Sequence, residues 1–244
     1  LPDFIQIDIT PLKIGDKVFG FHDQGIGSQV EFATFNEQQP IEIMPENITF
    51  EQAAASLEGG HYAVNFLNKV EIKTNQKVLI NGTTGGIGSV LLQLLKHYDC
   101  YVTAVCNTKN IDLIKSLGAD KIYNYEIEDF TSDTERYDYI FDAVGKSSFK
   151  KCKPLLKAKG VYISSELGDG IENLYLPFTT KFSNKKVIFP MPTDIHKSIL
   201  IIKNLLEKGA LKPIIEKIIS LDEAIETYQY VNSGQKTGSV VIRF

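Results

Sequence analysis

The stretch KVLINGTTGGIG, residues Lys77–Gly88, decides the fold of this chain. It begins with a short apolar run, as in a strand buried on both faces of a parallel sheet. Gly82, Gly85 and Gly88 follow at intervals of three and lead into a predicted helix, Ile87–Tyr98. Such a turn lets the backbone approach a pyrophosphate, and the helix N-terminus offers N–H groups to phosphates. The spacing differs from the usual G-x-G-x-x-G, and the alternative is a tight turn that needs glycine for packing.

Downstream, strand and helix patterns alternate, which predicts an α/β fold with a doubly wound parallel sheet. The predicted strands are Tyr101–Val105, Lys121–Tyr123, Tyr137–Phe141, Val161–Ser164 and an edge strand, Lys186–Phe189. The predicted helices are Ile111–Leu117, closed by Gly118, and Ser147–Leu156.

The flanking regions predict a mixture of strands and helices. The first 50 residues are β-rich, with strand patterns at Phe4–Ile9 and Gln29–Ala33 and a turn that leads into a short strand at Ile14–Gly20. Thr49 and Gln52 have the spacing of a helix capping box, and the helices predicted after them are Phe50–Ser56 and His61–Lys69. The tail predicts helices at Asp194–Lys208 and Leu221–Val231 and strands at Ile214–Ile219 and Ser239–Phe244.

Charge and composition narrow the function classes. A net charge of −4 over 244 residues argues against nucleic acid or an anionic membrane as the main partner. We see no run of about 18 apolar residues and no signal-peptide pattern. Cys100, Cys106 and Cys152 fit neither a disulfide framework nor a closed zinc site, so we expect plain buried thiols. The free thiols predict a reducing compartment, which we take to be the cytoplasm.

The end of the second predicted strand discriminates between nicotinamide cofactors. Enzymes that use NAD usually place Asp or Glu there, about 20 residues after the glycines, to bind the ribose 2′-hydroxyl. This strand instead continues into Asn107, Thr108, Lys109 and Asn110, without an acid. The neutral donors and the lysine suit a 2′-phosphate, which favours NADPH. The alternatives are a solvated Lys109 and a carboxylate-free site that still accepts NADH.

A third strand end, FDAVG at Phe141–Gly145, is expected at the same edge. Ligands of doubly wound sheets lie beyond the carboxyl ends of the strands. Ala143 and Gly145 are small enough for a nicotinamide ribose to approach, and simple turn formation is the alternative.

Together these motifs resemble the zinc-independent quinone-oxidoreductase branch of the medium-chain dehydrogenase/reductase superfamily. The matching segments are KIGDKVFG (Lys13–Gly20), the glycine turn Gly82–Gly88 with QLLK (Gln93–Lys96), SLGAD (Ser116–Asp120), YDYIFDAVG (Tyr137–Gly145) and KTGSVVI (Lys236–Ile242). They are ordered and correctly spaced between Pro11 and Phe244.

The resemblance implies a GroES-like β-rich catalytic domain, incomplete at its N-terminus, from residues 1–50 and 210–244. A Rossmann NADP-binding domain would span residues 51–209. The implied reaction is hydride transfer from NADPH to a quinone or an α,β-unsaturated carbonyl without a metal. The edge strand Lys186–Phe189 predicts a homodimer, because exposed edges invite pairing.

The resemblance also implies where the cofactor binds. The pyrophosphate falls on the glycine turn, at Thr84, Gly85, Gly86, Ile87 and Gly88. The 2′-phosphate falls on Asn107, Lys109, Asn110 and Tyr125. The nicotinamide end falls on Tyr62, Ala143, Val144, Gly145 and Ser164. We assign no catalytic residue, because the nicotinamide itself carries the hydride chemistry.

Two departures from the family pattern stand out. Tyr62 occupies a position where the family commonly has Thr, which puts the shape of the nicotinamide pocket in doubt. The chain is shorter than the family's usual length and does not begin with Met, so we expect that residues are missing before Lys13.

Two other functions remain open. One is a zinc-free alcohol or carbonyl dehydrogenase of the same fold, which a substrate panel would distinguish. The other is a catalytically weak NADPH-binding sensor or structural protein, which the bulky Tyr62 favours slightly.

Overall fold

The computed structural model describes residues 12–21, 29–36, 38–168 and 171–244. Its strands are β1 (Val18–Gly20), β2 (Ile41–Ile43), β3 (Lys77–Asn81), β4 (Tyr101–Cys106), β5 (Lys121–Asn124), β6 (Tyr137–Asp142), β7 (Leu156–Ser164), β8 (Lys186–Ile188), β9 (Ile215–Ile219) and β10 (Ser239–Ile242). Its helices are α1 (Phe50–Leu67), α2 (Gly86–His97), α3 (Ile111–Ser116), α4 (Phe149–Cys152), α5 (Glu172–Thr179), α6 (Ile195–Glu207) and α7 (Ala224–Asn232).

Six strands form one parallel sheet in the order β5-β4-β3-β6-β7-β8. The chain runs outward from β3 to β5 and then returns to place β6 on the other side of β3. The strand order therefore reverses between β3 and β6, where ligands of such sheets bind. Two small sheets, antiparallel β1–β2 and parallel β9–β10, lie outside the large one. The α/β fold class with a Rossmann-type sheet is confirmed.

The sheet buries both of its faces, which explains why its strands are almost wholly apolar. On one face Val78 and Ile80 of β3 share a cluster with buried side chains of α1, α2 and α6. On the other face Leu79 joins Tyr137, Tyr162 and their neighbours in a second cluster. The alternation of residues along β3 therefore divides the core between the two sides of the sheet.

Most of the predicted elements are present. The strands from Lys77 to Ser164 and the edge strand β8 lie where their patterns indicate, as do α2, α3 and α6. The Thr49 hydroxyl accepts a hydrogen bond from the Gln52 N–H (3.2 Å), and the Gln52 amide oxygen accepts one from the Thr49 N–H (3.0 Å). This reciprocal pair confirms the capping box.

The prediction of two helices between Phe50 and Lys69 is wrong, because α1 is one continuous helix. Gly59 and Gly60 lie in its interior, where glycine normally weakens a helix. Both are sites of close packing: a Cβ on Gly59 would lie 2.6 Å from the Gly86 carbonyl, and one on Gly60 would lie 2.7 Å from the Ile202 side chain. Close packing against α2 and α6 therefore explains why α1 contains Gly59 and Gly60, the two glycines that suggested a break between two helices.

Two other predictions are also wrong. Gln29–Ala33 forms no strand, and Phe32 is 90% exposed. The alternation of apolar and polar residues in this segment therefore does not correspond to strand pairing with any described residue. The helix expected at Ser147–Leu156 is reduced to α4, because a 3₁₀ turn containing Pro154 follows it and β7 begins early. The short elements β2 and α5 were not predicted, and the strand expected at Phe4–Ile9 lies outside the described residues.

Asp133 is a buried carboxylate that joins three elements of the second core cluster. It accepts hydrogen bonds from the Lys121 ammonium (2.9 Å), the Glu135 N–H (2.9 Å) and the Tyr137 hydroxyl. Burial alone would raise the pKa of this carboxyl, but these donors together outweigh it and lower the pKa to about 2.

We therefore expect Asp133 to make the free energy of unfolding depend on pH in the acid range. A carboxyl whose pKa is depressed in the folded state stabilises the fold above its unfolded pKa of 3.8, and that contribution is lost as pH falls through about 4 toward 2. The shift corresponds to about 2 kcal/mol. Urea unfolding at pH 6, 4 and 3 should give a steeper loss of unfolding free energy for the wild type than for Asp133→Asn. Equal pH slopes would contradict this account.

Candidate functional site

The carboxyl ends of the central strands bring the predicted turns together at one edge. Asn81 of β3 lies in register with Val105 of β4 and with Asp142 of β6, and Asp142 lies in register with Ser164 of β7. The glycine turn, the turn after β4, the turn after β6 and the end of β7 therefore share this edge of the sheet.

The glycine turn is very tight between Gly82 and Gly88 and less crowded at Gly85 and Gly86. Gly82 has φ +83°, and a Cβ on Gly88 would lie only 2.2 Å from the Gly82 carbonyl oxygen. A Cβ on Gly85 or Gly86 would meet nothing closer than 3.7 Å. Gly85 is the N-cap of α2 and supplies no side-chain acceptor. The first-turn N–H groups of α2 are thus suited to a phosphate.

The C-terminal segment packs against the same turn. The Gly238 N–H donates to the Thr84 carbonyl (2.7 Å), and Gly238 forms an isolated bridge with Gly85. Ser239 lies beside Gly86, at 3.8 Å from the position of a Cβ there. The backbone of the turn is therefore held by residues far away in sequence.

The turn after β4 is also tied to the C-terminal segment. The buried Asn110 amide donates to the Asn107 amide oxygen (2.7 Å) and to the Thr237 hydroxyl (3.0 Å). The Lys109 ammonium donates to the Gln235 carbonyl (2.9 Å) and lies 3.4 Å from a carboxylate oxygen of Glu216. The lysine expected to bind a 2′-phosphate is engaged within the protein.

A carboxylate does lie at the end of β4, although residues 107–110 contain none. Glu126, after β5, accepts hydrogen bonds from the Thr108 N–H (3.1 Å) and the Thr108 hydroxyl (2.5 Å). These bonds lower the pKa of the Glu126 carboxyl. The neighbouring Tyr125 is exposed, and its N–H donates to the Cys106 carbonyl (3.0 Å).

Asp142 organises the turn after β6, a role that was not predicted. One oxygen accepts from the Asn81 amide (3.0 Å) and the Gly145 N–H (2.9 Å), and the other from the Ser147 N–H (3.1 Å) and the Tyr162 hydroxyl (2.9 Å). Burial and the Asp142 charge raise the pKa of Tyr162, which therefore stays a neutral donor. The sequence signal that could have indicated this role is the position of Asp142, an acidic residue at the last position of the buried strand β6.

The other residues of this turn lie close to the glycine turn and to β7. Val144 is exposed and lies 2.7 Å from where a Cβ on Gly82 would be, and Ala143 donates its N–H to the Asn81 carbonyl (3.0 Å). Gly145 has φ +64° and the Glu166 side chain beside it. Ser164 is buried, and its hydroxyl accepts from the Glu166 N–H (3.2 Å).

Tyr62 lies half-buried on α1. Its ring meets the edge of the His61 ring, with centroids 5.6 Å apart. His61 is buried and points its Nδ1 toward the Ser198 hydroxyl of α6, at 2.9 Å. The His61 side chain thus links α1 to α6, whereas the Tyr62 side chain remains partly accessible to solvent.

The three cysteines are free and buried. Burial raises the pKa of Cys100 and Cys106 to about 11 and that of Cys152 to about 12, so the thiols are protonated at neutral pH. Among residues 12–21, 29–36, 38–168 and 171–244, no group of three or more His, Cys, Asp or Glu side chains could hold a metal ion. The described His, Cys, Asp and Glu side chains therefore do not fit a zinc site.

Comparison with protein families identifies the chain. The zinc-binding dehydrogenase family model matches residues 117–242, just over half of the sequence. The chain belongs to this family. The resemblance to the quinone-oxidoreductase branch of the medium-chain dehydrogenases is confirmed by the relatives of this chain.

Three relatives illustrate the likeness. A 2-methylene-furan-3-one reductase of Solanum lycopersicum is 28% identical over 96% of this chain and 59% of its own length. A chloroplastic quinone oxidoreductase of Triphysaria versicolor is 26% identical over 96% of this chain and 74% of its own. A chloroplastic NADPH-dependent alkenal/one oxidoreductase of Arabidopsis thaliana is 25% identical over 96% and 59%. The chain thus spans only part of the length of each relative.

The fold comparison agrees. The solved structure of the quinone oxidoreductase from Coxiella burnetii matches with a TM-score of 0.84 at 26% identity, over 97% of this chain and 74% of that one. Within the described part of the dehydrogenase, no helix has the length and apolar character needed to cross a membrane.

The glycine turn generates a stability prediction. Gly88→Ala should lower the unfolding free energy by about 2–3 kcal/mol, because its Cβ would overlap the Gly82 carbonyl and force the backbone apart. Gly85→Ala is the matched control: its Cβ meets only an ordinary contact at 3.7 Å, so it should cost less than about 1 kcal/mol. Chemical denaturation of both variants tests this, and equal losses would refute the steric account.

Proposed function

We propose that this dehydrogenase chain is part of an NADPH-dependent oxidoreductase that transfers a hydride to a quinone or an α,β-unsaturated carbonyl without a metal. The observation that carries the proposal is the uncapped first turn of α2, located where the strand order reverses between β3 and β6. The relatives named as quinone and alkenal/one oxidoreductases support the substrate class.

Each predicted site residue has a role in this proposal. When bound, a reduced nicotinamide supplies the hydride. The glycine turn, Thr84 with Gly85, Gly86, Ile87 and Gly88, would hold the pyrophosphate through backbone N–H groups. Asp142 would act as a positioning residue, because its carboxylate accepts hydrogen bonds from the Val144, Gly145 and Ser147 N–H groups and so fixes the backbone of this turn.

The two ends of the cofactor site make different demands on the protein. Asn107, Lys109, Asn110 and Tyr125 would lie around the adenosine end, where Lys109 must leave the Gln235 carbonyl to reach a 2′-phosphate. Ala143, Val144, Gly145, Ser164 and Tyr62 would lie around the nicotinamide end. Tyr62 can donate a hydrogen bond from its hydroxyl, but a ring larger than threonine narrows the space for substrate.

A substrate panel tests the reaction. We expect the full-length protein to oxidise NADPH with quinones or 2-alkenals, and more slowly with simple aldehydes, in an absorbance assay with NADH in parallel. Turnover confined to aldehydes would replace this proposal with a zinc-free alcohol or carbonyl dehydrogenase. NADPH binding without turnover on any substrate would favour a sensor or structural role.

We also propose that the protein forms a homodimer through β8 and α5. β8 pairs only with β7 among the described strands, and α5 beside it exposes Tyr175 and Phe178, the latter at 80%. The Thr180 hydroxyl already accepts the Val187 N–H (3.0 Å), so part of the strand edge is covered. The exposed apolar side chains supply the other part of the interface.

Light scattering tests this assembly. The wild type should have the mass of a dimer, and Phe178→Asp should shift it toward monomer because a charge would be buried in the interface. Phe32→Asp, at an equally exposed aromatic residue of the N-terminal part, is the control and should leave the mass unchanged. A monomeric wild type would refute the proposal.

The domain division and the compartment complete the proposal. The separate β1–β2 and β9–β10 sheets support a catalytic domain from residues 1–50 and 210–244, with the nucleotide-binding domain between them.

The three unpaired thiols support a reducing compartment such as the cytoplasm. The chloroplastic relatives make imaging of the tagged full-length protein the deciding measurement.

A further inference from the structure

Glu126 and Thr108 form charge-assisted hydrogen bonds just after the end of β4. The Thr108 N–H and hydroxyl both point to the same Glu126 oxygen, at 3.1 and 2.5 Å. The Asn124 amide donates to the Thr108 hydroxyl (2.7 Å), which leaves the hydroxyl proton for Glu126. The Glu126 N–H in turn donates to the Asn124 amide oxygen (3.1 Å). Thr108 thus binds this carboxylate directly, and Asn124 holds both Thr108 and the Glu126 backbone in place.

The Glu126–Thr108 contact affects which group at the ribose 2′ position of a dinucleotide this site would favour. Two converging donors at the end of the second strand of a Rossmann sheet could serve a 2′-phosphate, but here they already hold an anion. The one nearby cation of the turn, Lys109, is engaged by Gln235 and Glu216. A phosphate that enters must displace a negative charge or lie beside it, and the two repel each other. A ribose 2′-hydroxyl meets no such cost and can donate to a carboxylate.

We propose that Glu126 is a specificity-determining residue that limits the preference of this site for NADPH over NADH. The inference rests on the proposed dinucleotide function and deepens it. Residues 107–110 by themselves favour NADPH, and Glu126, brought to them from the turn after β5, opposes that preference. We therefore expect the protein to prefer NADPH less strongly than residues 107–110 alone would indicate.

The role of Glu126 differs from that of its acidic neighbours. Glu128 accepts the Asn124 N–H (3.1 Å), and Asp129 accepts the Thr131 N–H (2.9 Å). Both shape the turn after β5 by bonding to its own backbone. Only Glu126 in this acidic run bonds to the β4 strand end in the described structure, so Glu128 is available as a matched control for charge.

The test measures binding, so that it does not depend on an unknown substrate. Calorimetry with NADPH, NADH, adenosine 2′,5′-bisphosphate and 5′-AMP is performed on the full-length wild type, Glu126→Gln and Glu128→Gln. Glutamine keeps the size and the acceptor oxygen but removes the charge. We expect Glu126→Gln to tighten NADPH and the bisphosphate by about five-fold or more, and to leave NADH and 5′-AMP unchanged or weaker. Glu128→Gln removes the same net charge and should change the NADPH-to-NADH affinity ratio by less than two-fold.

Three outcomes would overturn the proposal, and they are distinguishable. An unchanged affinity ratio in Glu126→Gln, with both dinucleotides bound, overturns the role of Glu126 and leaves the proposed function intact. An equal change in Glu128→Gln shows a general charge effect and also overturns it. Failure of the wild type to bind either dinucleotide removes the proposed function together with this inference. A thermal unfolding curve for each variant shows whether a loss of binding reflects a loss of fold.

Discussion

The close approach of two backbone segments inside the glycine turn is the constraint on which the candidate site depends. The Gly88 Cα lies so near the Gly82 carbonyl that a side chain at residue 88 has no room. This contact lets α2 begin at Gly86, shortly after β3 ends at Asn81. Gly59 of α1 then packs on Gly86 from outside, so three backbone segments meet with no side chain between them.

A second consequence of that geometry is the link between distant parts of the chain. Gly238 bonds to Thr84, Thr237 bonds to Asn110, and Glu216 pairs with Lys109. The β9–β10 sheet is therefore attached to two of the turns that would bind a dinucleotide. The pKa of the Glu216 carboxyl reflects this position: burial raises it, but the Thr237 N–H, the Tyr230 hydroxyl and Lys109 together lower it. A ligand that recruits Lys109 would loosen one of these links.

Two carboxylates at the strand ends serve different purposes because their surroundings differ. Asp142 is fully buried, and its oxygens are taken up by donors of β3, β7 and the following turn. Leaving such donors unpaired would be costly, so its role is to hold backbone in place. Glu126 is exposed and bonds to one residue, Thr108. Its contact can open at little cost, which suits a group that competes with a ligand rather than one that supports the fold.

Features that depend on neighbours along the chain could be predicted from the residues alone. The apolar run before Gly82, the Thr49 capping box and Gly118 in its left-handed conformation each follow from local hydrogen bonding, side-chain periodicity and allowed backbone angles. The parallel sheet, and the edge at which the carboxyl ends of its strands meet, followed from the order of those elements, so the positions of the glycine turn and the Ala143–Gly145 turn could be predicted. Only the tertiary structure decided that α1 is continuous through Gly59, that Lys109 turns toward Gln235, and that Glu126 reaches Thr108. Each of these is a contact between residues brought together by the fold, and no local pattern in the chain specifies which distant group will meet a given side chain.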